Sequence, residues 1–229
     1  MKKIACVCLL LVFATCSFAD DEKESKAVDR VQAAADVLNE IQSAPDQGMP
    51  EDVLASAECV AVVPTMLNGG FILGARFGRG VASCRNPKGW SAPAFFTVEG
   101  GSFGLQIGGQ AIDLVMLVMN DDGMRKLLSS KFKLGADASV AAGPVGRHAA
   151  ADTDWKLRAQ ILSYSRARGV FAGIALDGAV VKQDKNSTRE FYGHMVSTKA
   201  SLEDGIPAPS QAYPFLSTLA KWASAAAAK

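Results

Sequence analysis

The sequence predicts an α+β fold in which a curled antiparallel β-sheet, a small barrel or sandwich of short glycine-rich strands, is flanked by N- and C-terminal helices. Three observations predict it. Apolar residues recur at helical spacing near both ends, short β-branched and aromatic runs fill the middle, and 15 of the 21 glycines fall within residues 69–146. Because glycine weakens regular elements, so dense a cluster indicates tight turns, bulges and close backbone approach, with which a small sheet curls.

The helices are predicted from periodicity and from their end signals. Val31, Ala35 and Leu38 follow one another at three- or four-residue steps within residues 24–43, and Pro45 ends that helix. Asn120 is a suitable N-cap for a helix that reaches about residue 130. The other helices are predicted at residues 51–58, 187–192 and 210–228, the last of them broken near Pro214.

The strands are predicted from short runs between glycines. Residues 59–63 form a β-branched run that ends at Pro64, typical of a buried strand. Residues 70–85 alternate around three glycines and predict a hairpin or a bulged strand. Further short strands are predicted at residues 92–98, 103–109, 113–119, 132–140, 159–165 and 169–176, with Gly100 and Gly101 separating the first two.

The first nineteen residues have the pattern of an export signal. Lys2 and Lys3 precede an apolar run of residues 4–13, and residues 17–19 form a small-x-small cleavage site. We therefore expect a signal peptide at 1–19, an N-terminal amphipathic helix and linker at 20–50, and a binding domain with the C-terminal helix at 51–229. The alternative processing is lipidation at Cys16. Either outcome predicts an exported protein of the periplasm or the outer membrane.

Cysteine usage follows from export. Cleavage removes three of the five cysteines and leaves Cys59 and Cys84, which an oxidising compartment most often joins in a disulfide. Two buried reduced thiols are the alternative.

Charge and motifs exclude several functions. With 24 basic and 23 acidic side chains the formal net charge is +1, without the strong basic excess typical of nucleic-acid binding. Residues 100–104 fit the G-x-S-x-G pattern around Ser102, but that chemistry needs a helix after the serine, and residues 105–109 are extended and glycine-rich. A serine hydrolase using Ser102 is the least favoured alternative. His148 and His194 have no ligand companions at metal-binding spacing, so neither a metal nor a cofactor is predicted.

Basic residues recur beside the apolar and glycine-rich segments. If the curled sheet brings some of them to one face, they would hold anionic headgroups by charge-assisted hydrogen bonds. Solvated strand ends are the alternative. The candidates for lipid binding are Lys131, Lys133, Arg147, Arg166 and Arg168.

The order of segments resembles the SYLF-domain family, also described as the Las17-binding family. The resemblance covers residues 25–195 and implies phospholipid binding without catalysis; eukaryotic members contact phosphoinositides, and some engage actin. We therefore expect a non-catalytic protein that binds anionic phospholipid or a membrane surface, with a structural or protein-interaction role in the envelope as the alternative. The similar segments are 57–64, 69–74, 89–95, 101–108, 113–119, 134–139, 142–147 and 163–173.

Overall fold

The computed structural model describes residues 18–43, 48–145, 159–167, 170–174 and 176–224. In these ranges helices flank a single mixed sheet. The helices are α1 (Phe18–Gln42), α2 (Glu51–Ala55), α3 (Asp121–Leu128), α4 (Lys185–Tyr192), α5 (Thr198–Leu202) and α6 (Tyr213–Ser224), with a 3-10 turn at Ser210–Ala212. The strands are β1 (Cys59–Asn86), β2 (Gly89–Trp90), β3 (Ala94–Val118), β4 (Lys131–Lys133), β5 (Val140–Ala142), β6 (Ile161–Ala167), β7 (Val170–Gly173) and β8 (Val180–Gln183).

Two long strands organise the sheet. β1 and β3 pair antiparallel from Cys59 opposite Val118 to Ala82 opposite Ala94, and the register shifts twice along the ladder. Half of the ladder, near Cys59, continues through β6 to β5 and β7; the other half continues through β8 to β4. We call these the first and the second layer. The ladder curls between them, so that the sheet forms a half-barrel.

The two layers are joined where β1 begins and ends. Cys59 and Cys84 form a disulfide with an S–S distance of 2.02 Å. Beside it, the Arg85 N–H donates to the Glu58 carbonyl oxygen at 2.7 Å. At Gly80 an added Cβ would lie only 2.7 Å from the Val62 carbonyl oxygen, so this crossing of β1 over itself requires glycine.

Alternation along the strands divides the core in two. Inward side chains of both layers, Met66, Phe96 and Leu114 among them, pack between the layers. Outward side chains near the disulfide, such as Val62 and Phe95, pack under α1, α4 and α6. The N-terminal helix is therefore part of the same core as the sheet.

The predicted fold class is confirmed, and the lengths of the strands differ from expectation. The segments predicted at 59–63 and 70–85 belong to one strand of 28 residues, and those at 92–98, 103–109 and 113–119 to one of 25. The two strands stay paired at Gly100 and Gly101, where we expected one strand to end and the next to begin. The Asn120 cap is confirmed, because its Oδ1 accepts the Gly123 N–H at 3.0 Å. Pro214 lies in the first turn of α6, where proline is tolerated, so it does not break that helix.

Candidate functional site

The outer face of the second layer is rich in cations. Cross-strand neighbours place Arg79, Thr97, Lys182 and Lys131 in one row across β1, β3, β8 and β4. The next row contains Phe77, Glu99, Val180 and Lys133. The side chains between these rows, Phe132 and Val181 among them, point into the core. We call the four cations Arg79, Lys131, Lys133 and Lys182 the basic face.

One carboxylate lies within the basic face. Glu99 is in salt-bridge contact with Lys182, and its pKa is lowered chiefly by the hydrogen bond from Lys182, with a further contribution from Lys131. Glu99 is therefore ionised and offsets one cation. The rows keep an excess of positive charge on a surface open to solvent.

A groove adjoins the basic face. Its volume is about 360 Å³, and residues of α1 and of both halves of β1 form its walls. Two large apolar side chains are exposed in it: Leu67 keeps 58% and Phe77 43% of its area accessible. We call it the α1 groove; Lys26, Asp29, Arg30, Ala33, Pro64, Thr65, Leu67, Phe77, Gly78 and Arg79 line it.

Arg30 fixes α1 beside the groove. Its Nη1 donates to the Ser187 hydroxyl at 3.0 Å and lies 3.7 Å from Asp184 Oδ2, while its guanidinium lies 5.6 Å from the centre of the Phe95 ring. Burial is the main reason that its pKa is lowered; Asp184 opposes this, and Arg79 adds to it. Arg30 is therefore a structural contact of α1 that also contributes positive potential to the groove.

The floor of the groove is a strained bulge. Thr65 has φ 57°, the left-handed region that L-residues with β-branched side chains seldom occupy. Its N–H donates to Asp113 Oδ1 at 2.9 Å, and Asp113 Oδ2 accepts from Arg166 Nη2 at 2.8 Å and Nε at 3.0 Å. Arg166 also contacts Glu40 of α1. These contacts hold the bulge in place.

The structure describes three of the five residues predicted to bind lipid, and these three lie on two different layers. Lys131 and Lys133 are exposed neighbours on the basic face. Arg166 lies on the first layer, in ion pairs with Asp113 and Glu40. Arg147 and Arg168 lie outside the described residues, as does Cys16.

Sequence reasoning missed part of the surface. It did not group Arg79 and Lys182 with the lysines of β4, and it did not single out Leu67 or Phe77. Arg79 and Lys182 could have been found, because residues 77–81 and 180–183 alternate between outward and core-facing side chains. Leu67 gave no such signal, because its orientation depends on the bulge.

The described residues contain no arrangement suited to the catalytic alternative. Ser102 lies inside β3 opposite Gly74, and the strand continues on both sides of it, so the strand–turn–helix of a nucleophile is missing there. His194 is exposed and makes an edge contact with the Tyr192 ring. Across the described ranges no group of three or more His, Cys, Asp or Glu could hold a metal ion.

The next feature is the length and apolar character of the helices in these ranges. None of the helices described is both long and apolar enough to cross a bilayer. Fold and surface together define an α+β half-barrel domain whose exposed features are a basic face and a partly apolar groove.

Comparison with known proteins gives the family. Residues 99–222 match the Ysc84 family model, described as "Las17-binding protein actin regulator". The chain is 31% identical over 195 residues to SH3 domain-containing YSC84-like protein 1 of Rattus norvegicus, covering 82% of this chain and 57% of that protein. It is 31% identical over 202 residues to LAS seventeen-binding protein 3 of Saccharomyces cerevisiae, covering 86% and 44%. The chain belongs to the Ysc84, or SYLF-domain, family, and it spans about half the length of these relatives.

Proposed function

We propose that this protein is a non-catalytic phospholipid-binding protein of the bacterial cell envelope, which engages anionic lipid through the basic face. The observation that supports the proposal best is the set of four cations on adjacent strands, with Glu99 the one carboxylate in their rows. Membership in a family of binding proteins is consistent with a role without catalysis.

Electrostatics supply a useful part of the binding energy. Each Lys or Arg held near an anionic membrane contributes about 1 kcal/mol, so three net charges contribute about 3 kcal/mol. Because this attraction is screened within a Debye length, the binding should weaken as salt is added. The neighbouring α1 groove offers apolar contact at the same edge of the molecule.

The location in the envelope is part of the proposal. It is supported by the basic and apolar pattern of residues 1–19, which is typical of an export signal. The Cys59–Cys84 disulfide suits an oxidising compartment. Edman sequencing and mass spectrometry of the protein from the envelope would separate cleavage after Ala19 from lipidation at Cys16.

Co-sedimentation with vesicles tests lipid binding. The processed protein is mixed with vesicles of phosphatidylcholine alone, or with phosphatidylglycerol or cardiolipin added. We expect binding only with the anionic lipids, and about 30-fold weaker binding after the double change Lys131→Gln and Lys133→Gln, which removes two such contributions.

The matched control removes two exposed lysines elsewhere, Lys88→Gln at the β1–β2 turn and Lys199→Gln on α5. It loses the same net charge but leaves the basic face intact. Equal losses in the two double variants, or no preference for anionic vesicles, would contradict the proposal.

A protein-interaction role in the envelope is the second candidate. A largely apolar groove of about 570 Å³ favours it; Tyr192, Met195 and Ile206 are among its lining residues, and Met195 is 46% exposed. Delipidated protein that captures one partner in chemical crosslinking, and loses it after Met195→Asp while binding no anionic vesicle, would establish this function instead.

A further inference from the structure

We infer that the protein does not only adsorb to the anionic surface but inserts Leu67 and Phe77 into the apolar layer of the membrane. The inference rests on the proposed function and names the two residues that would enter the lipid. Both side chains are large, both are exposed, and both line the α1 groove. A large apolar side chain left in water beside cations is the arrangement expected of an interfacial anchor.

The position of the pair selects lipid as the occupant. Phe77 lies in one row with Glu99 and Lys133. It is two residues from Arg79 along β1 and therefore on the same face of the strand. A membrane surface that neutralises the basic face therefore comes within reach of Phe77 without any rearrangement of the strands. Positive charge beside apolar side chains matches an anionic headgroup above its acyl chains.

The bulge determines that Leu67 points outward. Between Val63 and Met66 strand β1 advances three residues, while β3 advances two, from Leu114 to Ile112. The extra residue keeps Met66 in the core and turns Leu67 to the outer face. Strained backbone persists where surrounding contacts hold it, and here the Asp113 carboxylate accepts the Thr65 N–H. The exposure of Leu67 thus follows from the backbone conformation of the bulge and not from the choice of side-chain rotamer.

Arg166 contributes to this arrangement through its ion pairs with Asp113 and Glu40. It touches Asp113, which touches the Thr65 N–H, and it lies on the other layer from Lys133. Arg166 is therefore a positioning residue for the bulge.

Quenching by brominated acyl chains tests insertion directly. Leu67→Trp and Phe77→Trp are made in the processed protein, with Tyr213→Trp as the control, because Tyr213 is 73% exposed on α6. With phosphatidylglycerol vesicles that contain brominated lipid, we expect added quenching over the parent protein for the first two variants. The control should show none.

Affinity gives the second readout. Leu67→Ser with Phe77→Ser should bind the same vesicles about 30-fold more weakly than the parent, because two half-exposed side chains lose their transfer into lipid. Met195→Ser, at the other groove, should bind as the parent does. Near-ultraviolet circular dichroism verifies that each variant is folded.

The outcomes separate the inference from the proposal on which it rests. A parent protein that binds no anionic vesicle overturns both. Normal salt-sensitive binding without added quenching at positions 67 and 77, and without loss in the double serine variant, overturns insertion and leaves electrostatic adsorption intact.

Discussion

Replacing Gly80 with alanine tests the central physical argument about the glycines. The new Cβ would lie 2.4 Å from Phe96 Cζ and 2.7 Å from the Val62 carbonyl oxygen. Carbon atoms pack at about 3.5–4.0 Å, so the layers must separate by roughly 1 Å. The Phe96 ring is buried and the carbonyl belongs to the backbone, so neither can turn away. Overpacking of this kind destabilises by about 1–3 kcal/mol, and we expect a value near 3 kcal/mol.

The assay is thermal or urea unfolding beside a matched variant. For a chain of this length each kcal/mol shifts the melting temperature by about 2–4 °C, so Gly80→Ala should lower it by about 6–12 °C. Gly109→Ala is the control, because an added Cβ there meets nothing within 4 Å. Alanine reduces the freedom of the unfolded chain, so Gly109→Ala should be neutral or slightly stabilising. Equal melting temperatures for the two variants would refute the close-approach argument.

Two further predictions concern stability. Changing both Cys59 and Cys84 to alanine opens a loop with a sequence separation of 25 and should lower the free energy of unfolding by about 3 kcal/mol, measured in urea; a double variant as stable as the parent contradicts this. Burial raises the pKa of Tyr164 and Tyr192, so the folded state retains protons that the unfolded chain releases. Stability should therefore be complete below the ordinary tyrosine pKa of about 10 and fall above it, less steeply in Tyr164→Phe; an equal fall in that variant contradicts the assignment.

The sequence predicted the positions of helices and strands better than the lengths and pairing of the strands. Helical periodicity located α1, and the Asn120 cap located the start of α3, because both signals are local. The glycines predicted curvature, but whether a Gly-Gly pair ends a strand or bends it depends on a partner strand. Here β1 and β3 stay paired past Gly100 and Gly101, so strands expected to be short are long.

The candidate site shows the same division between local and distant information. Lys131 and Lys133 alternate with a core phenylalanine, and this short pattern is enough to place both lysines outside. Arg166 also lies in a short strand pattern, but its partner Asp113 is 53 residues away in the sequence. A local pattern therefore cannot predict this ion pair. The orientation of the Leu67 side chain depends on a single extra residue in β1, which moves this side chain from the inner to the outer face of the strand. Such one-residue effects become visible only with the register.

Some basic residues of this chain have structural contacts with neighbouring elements, and others are exposed on the basic face. Arg85 lies at the closed end of the half-barrel, where its Nε donates to the Ala57 carbonyl oxygen at 2.9 Å and its guanidinium lies 4.7 Å from the Trp90 ring. Arg30 and Arg166 likewise have their donors occupied by neighbouring elements. Lys131 and Lys133 of β4 are instead exposed on the basic face, where Lys182 of β8 pairs with Glu99. A net charge of +1 is therefore compatible with binding an anionic surface, because the potential that a membrane meets is set by the local basic face and not by the sum over the chain.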